Sequence, residues 1–114
     1  MFSLTEAHRY YLYLPPTDMR KSFDALCGLI QAKMNGNPRS GEVFIFINRR
    51  RDQVKLLHWE QAGFVLYYKR LEQGTFELPQ LDNSTGVQHI AWSQLVMIVQ
   101  GIVLKSIQMR KRYI

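Results

Sequence analysis

The chain has 114 residues, 46% of them hydrophobic, with 15 Lys and Arg against 9 Asp and Glu and a single cysteine. A chain of this length makes one compact domain that buries roughly two-thirds of its unfolded surface, so residues 1–114 need neither disulfide nor metal to hold together. No uninterrupted apolar run exceeds five residues, against ~20 for a membrane span; with no basic segment leading into an apolar core at "MFSLTEAHRYY" and Cys27 lacking an internal partner, the expected compartment is the reducing cytoplasm.

In chain order, "RYYLYLPP" (Arg9 to Pro16) is rich in β-formers and alternates Tyr10, Leu12 and Leu14 with Tyr11 and Tyr13 before two prolines end it. "TDMRKSFDALCGLIQAKM" changes period: Phe23, Leu26, Cys27, Ile30 and Met34 recur at helical spacing, with Thr17 or Asp18 placed to cap the first turn. "NGNPRSG" stops that helix. Three strands are predicted next, Glu42 to Asn48, Gln53 to Glu60 and Phe64 to Arg70, joined by "RRRD" and "QAG". Connections that short pair neighbours antiparallel.

"EQGTFELP" predicts a further strand over Thr75 to Leu78, and "QLDNSTG" reads as loop. Ser93 is placed to cap a last helix with apolar positions Leu95, Val96, Ile98, Val99 and Ile102, stopped at Gly101. The order is β-α-β-β-β-β-α, an α+β fold with an antiparallel sheet of about four to five strands and two helices. The strand Val43 to Ile47 is apolar on both faces. With both helices on one face, the tail or a second subunit is left to cover the other, so a homo-oligomer is one expectation.

Charge is unevenly distributed. Residues 1–48 are net +1, 49–70 net +4, 71–104 net −3, and the last ten, "KSIQMRKRYI", net +4. Such asymmetry points to a polyanionic partner. No catalytic arrangement stands out. Asp18 reads as a cap, Asp52 as a turn residue offsetting its arginines, and Glu72 as a neighbour of Arg70. His8, His58 and His89 lack ligand spacing, Cys27 lies on an apolar helix face, and there is no glycine-rich phosphate loop. The expectation is a protein without enzymatic activity, metal or cofactor.

The basic residues are the stronger lead. Arg49, Arg50 and Arg51 occupy a hairpin tip, Lys55, Lys69 and Arg70 lie on or beside the following strands, and Arg20 and Lys21 fall at the start of the first helix. Arginine pairs with phosphates and with guanine edges, and a helix start offers free N–H groups to an anion. The aromatics Phe44, Phe46, Trp59, Tyr67 and Tyr68 are read first as core, and as base-stacking platforms only if they line an open face.

Taken together, "PTDMRKSFDAL", "SGEVFIFINRRRDQVKLLHWEQAGFVLYYKRLEQGTFELP" and "SQLVMIVQGI" resemble the Orf2-like accessory proteins (TnpB) of the insertion sequence 66 family over roughly residues 9–104. The matching motifs are Pro16 to Arg20, Asn48 to Asp52, Lys55, and Lys69 to Phe76. The turn Glu60-Gln61-Ala62-Gly63 and the basic tail 105–114 depart from the family pattern. The resemblance implies a protein of a bacterial mobile element, encoded beside a larger transposase that carries the catalytic acids. It is not to be confused with the RNA-guided nucleases that share the TnpB name, whose length and catalytic pattern this sequence does not have. The expected role is a non-catalytic accessory factor of transposition that binds DNA at the element ends. The alternative is an adaptor that docks on the transposase without touching DNA, for which the acidic segment 71–104 and the surplus of apolar residues argue.

Overall fold

The computed structural model describes residues 4–78 and 85–100. Two helices and five strands follow one another as β1 (Tyr10–Tyr13), α1 (Phe23–Lys33), β2 (Val43–Ile47), β3 (Gln53–Glu60), β4 (Gly63–Arg70), β5 (Val87–Ile90) and α2 (Trp92–Gln100). The strands form one sheet in the order β4-β3-β2-β1-β5. The β-α-β-β-β-β-α order expected from sequence is the observed one, and the fold is α+β.

The sheet is mixed, not purely antiparallel. β1 and β2 run parallel, Tyr10 opposite Val43 and Tyr13 opposite Phe46, while every other pair is antiparallel. The reason is the helix between them: α1 carries the chain back to the starting end of the sheet, so β2 must run the same way as β1. The predicted strand at Thr75 to Leu78 is irregular chain. Gly74 turns there with φ 77°, and the segment follows the β2–β3 connection through the Phe76 N–H to the Arg51 carbonyl at 2.6 Å. The fifth strand lies instead at Val87–Ile90, with Tyr10 opposite Ile90. Val87-Gln88-His89-Ile90 lacks the apolar-polar alternation that announces a strand.

The two helices do not share a face. Leu26 and Ile30 of α1, with Met34 at its C-cap, pack on Phe44, Phe46 and Leu57. Leu95, Ile98 and Val99 of α2, with Phe76, pack on Tyr10, Leu12, Val43, Ile45, Val54 and Leu56. Alternate residues of a strand point to opposite faces, so β2, buried at all five positions, serves both cores at once. The chain thus covers both faces of β2 itself, and neither the tail nor a second subunit is needed for that.

Both helix starts differ from expectation. α1 begins at Phe23 with Ser22 at its N-cap position, not at Thr17 or Asp18. Asp18 closes a turn of its own: its Oδ1 accepts from the Arg20 N–H at 2.9 Å and its carbonyl from the Lys21 N–H at 3.1 Å. A carboxylate that binds the main chain two residues on offers the backbone an alternative to the helix. α2 begins one residue before Ser93, and Gln94 Oε1 accepts from the Ala91 N–H at 2.8 Å, as in one half of a capping box. Gly101, Ile102 and the tail 105–114 lie outside the described residues.

Candidate nucleic-acid interface

The β2–β3 connection is built around Asn48. Its Oδ1 accepts from the N–H groups of Asp52 and Gln53, both at 3.0 Å, and its Nδ2 donates to Asp52 Oδ1 at 2.7 Å. Its carbonyl accepts from the Arg51 N–H at 3.1 Å. Asn48 and Asp52 thus hold each other and hold the turn, and Asp52 is engaged by Asn48 and not by the arginines. Arg51 takes the left-handed conformation, φ 59°, that lets the chain re-enter β3. Arg49, Arg50 and Arg51 are exposed, and none forms an ion pair with a described residue.

The same end of the sheet carries the 16–21 segment. The Thr17 N–H donates to the Ile47 carbonyl at 2.9 Å, tying the segment to the end of β2. Between this segment and the hairpin lies a cleft of about 680 Å³, lined by residues 16–20, 48–50, Gln53 and Tyr68. Three of the sequence-predicted basic residues, Arg20, Arg49 and Arg50, meet on it. Asp18 is the acid among its lining residues. It holds Arg20 by Nη2 to Oδ2 at 2.6 Å and Nε to both carboxylate oxygens at 3.0 and 3.1 Å. The guanidinium holds the Asp18 carboxyl well below the usual carboxylate range, and Asp18 raises Arg20 in return. The Arg20 side chain is nevertheless 91% exposed.

The other five basic residues are placed differently. Lys55 is buried, 6% exposed, and its Nζ donates to the Met19 and Lys21 carbonyls, each at 2.7 Å. Its ammonium also lies 4.9 Å from the centre of the Tyr68 ring. Lys55 is therefore not part of a contact surface, in correction of the sequence reading: it is the clamp that holds the 16–21 segment over the sheet. Lys69, half-buried, points to the α2 face, where Nζ donates to the Val99 carbonyl at 2.6 Å. Arg70 points the opposite way, stays exposed and is 3.4 Å from Glu72. Lys21 is half-buried beside the cleft and precedes α1. Neither Arg20 nor Lys21 sits in the first helical turn, so the free N–H groups of the helix start are not beside them as expected. Arg51 is on the hairpin but off the cleft lining.

Among the aromatics, Phe44 and Phe46 are core, and Tyr67 packs against it. Trp59 lies edge-on to Phe64 at 4.8 Å and under Arg39 at 5.3 Å. Tyr68 alone of these is largely open, 51% exposed. Gln53, whose Oε1 accepts from the Tyr68 hydroxyl, is the lining residue that sequence reasoning did not single out. Its only signal is register: Gln53 lies opposite Arg70, two pairs from Lys55 and Tyr68 and so on the same strand face.

Cys27 is half-buried, and burial with the nearby Asp24 pushes its thiol up, away from the reactive thiolate. Among the described residues no group of three or more His, Cys, Asp or Glu is placed to hold a metal, and no helix is long and apolar enough to cross a membrane.

A small mixed-sheet domain that gathers arginines at one sheet end, on a turn spelled Asn-Arg-Arg-Arg-Asp, defines a class, and comparison with known proteins says which. Residues 8–109 match the model of the family described as IS66 Orf2 like protein. The chain belongs to this family of insertion-sequence accessory proteins. It is 31% identical over 94 residues to the uncharacterized protein y4hO of Sinorhizobium fredii (strain NBRC 101917 / NGR234), covering 82% of this chain and 80% of that one. It is 28% identical over 87 residues to the uncharacterized protein y4jC of the same organism, covering 76% and 73%. No solved structure matches it significantly.

Proposed function

We propose that the protein is a non-catalytic, DNA-binding accessory factor of transposition, acting on the ends of its element in the bacterial cytoplasm. The observation that carries the reading is the convergence of Arg20, Arg49 and Arg50 on one cleft, with Arg51 beside it, where the three hairpin guanidinium groups are left without ion pairs among the described residues. Neighbouring cations on an exposed turn repel one another mildly in water and gain when a polyanion arrives and its counterions leave. The carboxylates support a role without catalysis, because Asp18, Asp52 and Glu72 are engaged by Arg20, Asn48 and Arg70. Of the two arguments for an adaptor, the surplus of apolar residues is in large part taken up by helices on both faces of the sheet, with Phe23, Val65 and Met97 left exposed.

The test is fluorescence polarisation of labelled element-end DNA across a salt series. With three to five phosphates contacted, log K should fall against log salt with a slope of about −3 to −4.5. Binding of the transposase in the absence of DNA, with no salt-sensitive DNA binding, would assign the protein to the adaptor role instead.

A further inference from the structure

The cleft differs from a plain basic patch because an aromatic ring is built into it. Tyr68 lines it and is 51% exposed, yet the ring is held in place. Its hydroxyl donates to Gln53 Oε1, and the buried Lys55 ammonium lies 4.9 Å from its centroid. Lys55 is itself fixed by the Met19 and Lys21 carbonyls, so ring, ammonium and the 16–21 segment form one braced unit. Thr17, 4% exposed, belongs to the same lining, and its Oγ1 has no hydrogen-bond partner among the described residues. A held aromatic surface beside arginines is the combination that takes a base by stacking and its phosphate by charge. At about 680 Å³ the cleft has room for a single nucleotide.

We propose that this cleft receives an unpaired deoxynucleotide, its base stacked on Tyr68 and its phosphate at Arg49 and Arg50, so that the protein favours single-stranded DNA over duplex. The inference rests on the DNA-binding reading and narrows it. Duplex DNA presents only its backbone to the arginines, because its bases are stacked on one another. A single strand, or a nucleotide extruded from a distorted end, offers both parts. Asp18 lowers the positive charge of the cleft without cancelling it, since Arg20, Arg49 and Arg50 face one carboxylate.

The test uses the full chain with a labelled oligodeoxythymidylate, a duplex of equal length, and the same single strand carrying one fluorescent aminopurine base. The single strand should bind more tightly than the duplex, and aminopurine emission should fall on binding as the base stacks. Tyr68→Leu should weaken single-strand binding about tenfold or more and duplex binding by much less, while Tyr68→Phe, which keeps the ring and loses only the bond to Gln53, should weaken single-strand binding far less than Tyr68→Leu. Arg49→Gln with Arg50→Gln should weaken both. Equal or tighter duplex binding, undiminished aminopurine emission, or an unaltered Tyr68→Leu variant would overturn the inference and leave duplex binding as the function. Absence of salt-sensitive binding to any of the DNAs would remove the proposed function and the inference together. Should Tyr68→Leu not fold, the aminopurine emission with the unmodified protein decides.

Discussion

At the scale of single residues, backbone conformation and burial each carry a consequence. The β3–β4 hairpin closes through Gln61 and Ala62, φ 46° and 66°, both left-handed, with Gly63 already paired in β4. A two-residue turn of this kind favours Asn-Gly, because a side chain in the left-handed region crowds its own carbonyl by about 1–2 kcal/mol. Ala62→Gly is therefore expected to stabilise the protein by about 0.5–1 kcal/mol, after the extra entropy of the unfolded glycine is deducted, and to raise Tm by a few degrees in differential scanning fluorimetry. His58 tests burial. It lies under His8, ring centres 5.0 Å apart, with Nε2 3.6 Å from Glu60. Burial above all holds it below the ordinary value of 6.5, with His8 acting in the same direction and Glu60 and the Glu42 main chain against. The folded state thus keeps the neutral imidazole, and on acidification the unfolded chain takes up the proton first. Stability should be full above about pH 6.5 and decline as pH falls from there through the lower folded value, levelling beneath it. His58→Gln should flatten that dependence in thermal melts taken at a series of pH values.

At the scale of elements, the 16–21 segment depends on one side chain. Lys55 supplies the donor for two main-chain carbonyls, and bonds to a charged donor contribute about 1.5–3 kcal/mol each. Lys55→Met keeps the apolar stem and removes the ammonium, leaving both carbonyls without that partner. A loss of ~2–4 kcal/mol is expected in urea denaturation, with DNA affinity falling too, because Arg20 and the cleft wall are no longer held. The hairpin behaves in the opposite way. Replacing Arg49, Arg50 and Arg51 together by glutamine changes only exposed side chains on a turn that Asn48 and Asp52 hold. Stability should stay within ~0.5 kcal/mol of the parent, and the salt slope of DNA binding should become shallower by up to about 2.7 in polarisation titrations. The two variants separate architecture from contact: one cation should matter mainly to the fold, the three arginines only to the ligand.

For the molecule as a whole, what matters is that the basic residues are divided between the faces. Lys55 and Tyr68 are opposite one another on the α1 face, and Lys69 is opposite Val54 on the α2 face. In the molecule the basic residues of 49–70 therefore do not form one continuous patch. Arg49 and Arg50 with Arg20 make a compact site at one sheet end, Arg51 flanks it, and Lys55 and Lys69 join the sheet to its two covering layers. Sequence proximity merges these roles because a strand interleaves its two faces residue by residue.

The amino-acid sequence by itself determined six of the seven elements in their order, the central doubly buried strand, the hairpin carrying Arg49 to Arg51, and the family. These follow from local period, turn residues and ordered motifs, all of which act within a few neighbours. The tertiary structure decided the rest. Helices on opposite faces and a parallel β1–β2 pair come from the path of the chain between elements, which local alternation does not encode. The cleft, too, exists only in three dimensions, since Lys55 reaches carbonyls 34 and 36 residues away in the chain and Tyr68 meets Gln53 across 15. A lysine's charge can be read from its letter, but whether that charge meets solvent or a carbonyl depends on which distant segment folds over it.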